Sequence, residues 1–191
     1  SLWLYAGTGD YERIGNTSNG TDNLMIGIRD PHYPEYRDVA VPKKAADLTK
    51  CKNTTKDKTG NKCPSSTDTG WYIKLDKSQK VTAEPTVSSG LVYFPIYQPT
   101  SSVNKCSLGD AFICGVDDEC GTNFSSKLKN LRKGDTCKYV GQGVLSKIVV
   151  FAGKLFANIA GQSAGSIKDL VSIEAAAGGT SSYRSSWRQN Y

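Results

Sequence analysis

Histidine and methionine are almost missing from this chain, which has one of each, His32 and Met25. With one histidine, a Ser-His-Asp or Cys-His arrangement could only use His32. That residue lies between Pro31 and Tyr33-Pro34, a setting that reads as a rigid loop. No Cys-x-x-Cys-His attaches a haem, and no Cys-x2-Cys pair with histidine partners builds a zinc centre. No apolar run approaches the about 18 residues a membrane-spanning helix needs. No basic-then-apolar leader opens the chain and no initiator Met does. Ser1 runs straight into Leu2-Trp3-Leu4-Tyr5-Ala6-Gly7, which reads as a strand already under way. The expectation is a processed or excised piece of a longer protein. Gly7-Thr-Gly9-Asp-Tyr-Glu12 lacks the third glycine of a dinucleotide fingerprint and no helical pattern follows it, so it reads as a strand end and turn. Nothing in the spacing of the carboxylates sets two of them across a cleft, as acid–base catalysis requires.

What is present is β-sheet material. The 191 residues include 19 Gly and ten Tyr, with 24 Lys+Arg against 18 Asp+Glu for a net charge of +6. Short runs rich in Val, Ile, Tyr and Phe, bounded by Gly, Asn, Asp or Pro, read as strands. They are Trp3–Gly7, Leu24–Arg29, Trp71–Leu75, Pro85–Ser88, Leu91–Tyr97, Phe112–Asp117, Lys147–Phe151, Leu155–Ala160, Leu170–Glu174 and Ser182–Arg188. Helical periodicity is confined to Ser125–Lys133, where Ser125 could cap two turns with Leu128 and Leu131 on one face.

The chain also resembles itself. Val87-Ser-Ser-Gly-Leu-Val-Tyr-Phe-Pro-Ile96 parallels Val150-Phe-Ala-Gly-Lys-Leu-Phe-Ala-Asn-Ile159 at an offset of 63, and Phe112–Gly121 parallels Asp169–Gly178 at an offset of 57. Asp22–Asp30 matches Asp110–Asp118. Each unit reads strand, glycine turn, strand, variable loop, strand ending in an acidic residue. That order is a four-stranded antiparallel meander, the blade of a β-propeller. The expected fold is all-β: a partial propeller of two full blades plus parts of others, stabilised by disulfides and running over the whole chain. A β-sandwich is the alternative. An open stack of blades leaves edges and apolar faces uncovered. The segment is therefore expected to complete its fold with the remaining N-terminal part of the same protein or with further copies.

The six cysteines, Cys51, Cys63, Cys106, Cys114, Cys120 and Cys137, form an even set in a loop-rich chain. They point to disulfides and an oxidising compartment. The favoured pairing is Cys51–Cys63, closing a Lys-rich loop insertion over residues 43–65, with Cys106–Cys114 and Cys120–Cys137 for the rest. That insertion carries Lys43, Lys44, Lys50, Lys52, Lys56, Lys58 and Lys62. Lys127, Lys129, Arg132, Lys133 and Lys138 make a second basic patch. Either is a solvated loop or an attractor for an anionic partner such as a glycan or lipopolysaccharide. The first has no aromatic residue for base stacking and belongs to no recognised module, so no nucleic-acid partner is expected. Asp117-Asp118-Glu119 is the densest acidic cluster. It reads as a turn, because consecutive strand residues point to opposite faces and the spacing of a calcium loop is lacking. Trp3, Trp71 and Trp187 fall in strands and are expected to pack between blades.

Leu4-Tyr-Ala-Gly-Thr-Gly-Asp-Tyr-Glu12, the Leu24–Asp30 strand, Gly70-Trp-Tyr-Ile-Lys-Leu75, Lys80-Val-Thr-Ala-Glu-Pro-Thr-Val87 and the terminal Ser182-Tyr-Arg-Ser-Ser-Trp-Arg-Gln189 together resemble the C-terminal propeller of the PilY/PilC-type type IV pilus biogenesis and tip-adhesin family. The resemblance covers essentially the whole chain. It implies a non-enzymatic component of a secreted protein, exported through the periplasm to the outer surface and pilus tip. It also implies roles in pilus assembly and adhesion, with minor pilins and a surface or glycan ligand as partners. Trp187 and Tyr183 would then anchor a last strand that closes the ring. The family's calcium loop, an Asp-x-Asp-x-Asp-Gly stretch, does not occur here, so calcium is expected only in a part preceding Ser1 and no cofactor in this segment. A stand-alone secreted carbohydrate- or surface-binding β module and a fragment of a quinoprotein-like propeller enzyme are the alternatives.

Overall fold

The computed structural model describes residues 1–10, 12–17, 22–30, 33–34, 51–53 (backbone only), 63–65, 67–76, 78–100, 108–121, 136–161 and 170–175. Among them are thirteen strands and no helix: β1 (Leu2–Gly7), β2 (Leu24–Asp30), β3 (Cys51–Asn53), β4 (Gly70–Lys74), β5 (Lys80–Val81), β6 (Thr86–Ser88), β7 (Leu91–Gln98), β8 (Asp110–Asp117), β9 (Cys137–Gln142), β10 (Val144–Leu145), β11 (Val149–Phe151), β12 (Lys154–Ala160) and β13 (Leu170–Glu174). They form three open sheets. The first runs β1-β2-β4-β3, the middle one β5-β7-β8-β9 with β6 also on β7, and the third β10-β12-β11 with β13 on the other side of β12. All pairings are antiparallel except β3 with β4, which is parallel.

The hairpins follow from their turns. Ser89-Gly90 and Ala152-Gly153 all have positive φ (53°, 74°, 48° and 72°), the conformation of a two-residue turn whose twist matches the flanking strands. Ser88 then faces Leu91, and Phe151 faces Lys154. Each hairpin's first strand is broken at the same place. Opposite the break in the middle sheet stands Pro95, which has no N–H to pair. Its counterpart 63 residues on, Asn158, donates its N–H to the Ser146 hydroxyl at 3.0 Å.

The register carries the internal repeat. Adding 63 to Leu91 and 57 to Asp117 turns the pair Leu91↔Asp117 into Lys154↔Glu174, which is also paired. Adding 88 to both members of Trp3↔Arg29 gives Leu91↔Asp117. The strand pairs β1–β2, β7–β8 and β12–β13 are thus equivalent, and equivalent residues of these pairs face the same way.

Each sheet has a leading and a trailing face. In the middle sheet Val92, Phe94, Ile96, Cys114 and Val116 form the leading face, buried against Trp3, Tyr5, Met25 and Trp71 of the first sheet. Leu91, Tyr93, Ala111 and Ile113 form the trailing face, buried against Leu145, Leu155, Ala157 and Ile173 of the third. Every residue of β7 but the last is buried, as its unbroken apolar run requires. The trailing face of one sheet always meets the leading face of the next.

All-β architecture, antiparallel sheets and disulfides match the expectation from sequence. Nine of the ten expected strands lie in the described residues and all nine are present within two residues at either end. The strands β3, β5, β9 and β10 were not foreseen. The last expected strand (182–188), the expected helix (125–133) and His32 lie outside the described residues.

The expected disulfide pairing is overturned. Cys63 bonds to Cys120 and Cys114 to Cys137. Cys51–Cys63, Cys106–Cys114 and Cys120–Cys137 therefore do not form. Local spacing favoured short loops, whereas the sheets set Cys114 directly opposite Cys137 on β8 and β9. They also bring the segment before β4 to the turn after β8. The bond Cys63–Cys120 consequently ties the first sheet to the middle one rather than closing the Lys-rich insertion.

Candidate functional site

Among the described residues, the contacts that carry chemistry are concentrated at the two seams between sheets. In the first seam the Trp71 indole, fully buried, lies over Gly27 and against Gly121. A Cβ built on Gly27 or on Gly121 would come within 2.4 Å of an indole ring atom, so only glycine leaves room at either place. Gly121 also has φ of +64°. Trp71 Nε1 donates to the Asp118 carbonyl oxygen at 2.8 Å and the Tyr5 hydroxyl to the same oxygen at 3.2 Å. Asp117 Oδ1 accepts from the N–H groups of Glu119 (3.1 Å) and Cys120 (3.0 Å), which makes 117–119 a capped turn. Burial first, and then Asp117 and Glu119, push the Asp118 carboxyl above its ordinary range. Burial first, and then the three carboxylates, push the Tyr5 phenol up as well. Tyr5 therefore works as a neutral hydrogen-bond donor.

Lys80 is buried beside this seam, with its ammonium donating to the carbonyl oxygens of Asn16 (2.8 Å) and Ser78 (3.3 Å). Desolvation lowers its pKa, and Asp10 opposes that shift. These contacts hold the 12–17 turn against β5.

The second seam is tied by side chains of the 82–86 segment. Thr82 Oγ1 donates to the Leu145 carbonyl at 3.2 Å and Thr86 Oγ1 to the Ile148 carbonyl at 2.6 Å. Lys147 Nζ pairs with Glu84 Oε2 at 2.7 Å. Stacked sheets ordinarily lie about 10 Å apart. A threonine side chain reaching the neighbouring backbone shows that the middle and third sheets converge along this edge.

The outer faces mix exposed apolar side chains with polar ones. The leading face of the first sheet presents Leu2 (42% exposed) and Leu4 (59%), with Leu24, Ile26 and Ile28 half-buried beside them. The trailing face of the third presents Val149 (57%), Phe151 (72%) and Leu170 (51%), with Phe156 half-buried, among the exposed polar side chains of Lys154, Asn158, Ser172 and Glu174. That both faces of the first sheet are apolar along β2 was in the sequence. Leu24-Met-Ile-Gly-Ile28 does not alternate between apolar and polar, which is the pattern of a strand with two faces to bury.

The residues singled out from sequence are dispersed. Trp71 packs as expected, and Trp3 stacks on Tyr5 with ring centroids 6.3 Å apart. Cys63, Cys114, Cys120 and Cys137 are bonded. Cys51 and Lys52 are placed only by the backbone of β3. Cys106, Lys43, Lys44, Lys50, Lys56, Lys58, Lys62, Tyr183 and Trp187 lie outside the described residues, as does the second basic patch except Lys138. Among the described residues no three His, Cys, Asp or Glu side chains are grouped to hold a metal ion. No helix among them is long and apolar enough to cross a membrane. The two disulfides belong to an oxidising compartment. No family model, no curated protein and no solved structure matches the chain.

Proposed function

We propose that this chain is a sector of a β-propeller that acts, without catalysing a reaction, as an extracellular assembly and adhesion component of type IV pili. The observation that carries the architecture is the middle sheet, covered on both faces by copies of itself stacked in one direction. A sandwich covers each of its two sheets on one face only. Radial repetition covers both and brings neighbouring blades together at their inner edge. The convergence at Thr82 and Thr86 supports that geometry. The pilus role is supported by the sequence motifs quoted above and by the disulfides of an exported protein.

In this reading the sheets are a scaffold, and loops and outer faces dock to the rest of the same protein, to further copies and to minor pilins. The Lys-rich insertion meets a surface or glycan ligand. This segment holds no cofactor, calcium being left to a preceding part, and it binds no nucleic acid. The test is made in the native host. Antibody to residues 63–161 should label sheared pili and the outer surface, and deletion of the coding segment should remove surface pili. A chain confined to the cytoplasm, or piliation unchanged on deletion, would overturn the proposal.

A further inference from the structure

The outer faces of the first and third sheets are two halves of one kind of interface. Leu4, Ile26 and Ile28 stand 88 residues before Val92, Cys114 and Val116, in the same registers. Those three residues of the middle sheet are completely buried by a trailing face. Phe156 and Leu170 stand in the registers of Tyr93 and Ile113, 63 and 57 residues earlier, which bury a leading face. Among the described residues, the first sheet thus leaves part of a leading face exposed at Leu2 and Leu4, the third leaves part of a trailing face exposed at Val149, Phe151 and Leu170, and the two seams show how such faces meet.

We propose that a second copy of this chain seats its third sheet on the first sheet of its neighbour, head to tail, with Phe151, Phe156 and Leu170 against Leu4, Ile26 and Ile28. The inference rests on the stacked-sector architecture proposed above, but not on the pilus role. The occupant is a second copy because the chain itself carries both a leading and a trailing face, in the registers of the two seams it already forms. Such a contact is heterologous: it closes into a ring if the rotation allows and otherwise grows as a chain.

The test uses the whole chain. Leu4→Lys blocks only the leading face and Phe151→Lys only the trailing face. Both sites are well exposed, so both variants should keep the wild-type melting temperature. Sedimentation of the wild type over roughly 1 to 100 μM, the range in which interfaces of ordinary size hold, should show association. Each variant alone should be weakened about tenfold or more by the buried charge. An equimolar mixture should regain a dimer, because one good face of each kind remains. A wild type that stays monomeric throughout that range overturns the inference. So do variants that associate like the wild type, or a mixture that stays monomeric while the wild type associates. Pilus association of a monomeric chain would sink this inference and leave the pilus role standing, and self-association of a chain absent from pili would do the reverse.

Discussion

Lys147 meets Glu84 across the seam between the middle and third sheets, and the two lie 63 residues apart, the spacing that relates one hairpin to the next. Thr82 and Leu145 are separated by the same number. Residues at equivalent positions in two copies of one element touch only where the copies converge. The contact therefore marks the edge toward which the sheets lean.

The two contacts at that edge should differ in worth. Glu84 and Lys147 are both largely exposed, so Lys147→Met should leave the urea midpoint unchanged within error. Thr82 is buried, and Thr82→Val takes the hydroxyl from the Leu145 carbonyl while keeping the shape. That change should cost about 1 kcal/mol. Equal effects would show that the seam is not closed to water.

Gly27→Ala pushes a methyl group into the Trp71 ring and should cost about 1–3 kcal/mol in urea unfolding. Trp71→Leu frees that space. The double variant should therefore lose less than the sum of the single losses, and strict additivity would show that the indole does not lie over Gly27.

Peptide mapping of unreduced protein should recover Cys63 with Cys120 and Cys114 with Cys137. A peptide joining Cys51 to Cys63 would refute the arrangement. The closed segments span 57 and 23 residues of separation. On the chain-entropy account, Cys63→Ser with Cys120→Ser should cost about 4 kcal/mol and the other pair about 3 kcal/mol.

Asp118 holds its proton in the folded protein above the ordinary value of 3.8, chiefly through burial. Over the window from that value up to the raised one, the folded state keeps a proton that the unfolded chain has released. Stability from this group is therefore greatest below the window, declines as pH rises through it and is level above. Asp118→Asn removes the effect and leaves the backbone carbonyl in place for Trp71 and Tyr5. Its melting temperature should match the wild type near about pH 3 and exceed it near about pH 7. A variant less stable at the higher pH would contradict the assignment.

Much of the fold was legible because it is written locally. Ser89-Gly90 and Ala152-Gly153 announce tight turns, the apolar runs on either side announce strands, and the offsets of 63 and 57 at which they recur also relate the pairs Leu91↔Asp117 and Lys154↔Glu174 in the sheets. The strands not foreseen are short, like Lys80–Val81, or polar at their start, like Cys137–Gln142, and owe their conformation to the neighbour they pair with. For the candidate site the sequence supplied the Trp71 strand and the acidic turn. It did not supply the glycines that cradle the indole or the carbonyl it bonds.

By itself, then, the amino-acid order determined the strand class, the repeat and the directions in which side chains alternate, because turn chemistry and a two-residue period act over a few neighbouring positions. Only the tertiary structure decided which cysteines bond, which way the sheets stack and which apolar rows remain at the surface. Those outcomes depend on distances between segments tens of residues apart. They are fixed when whole sheets pack, and no local pattern encodes them.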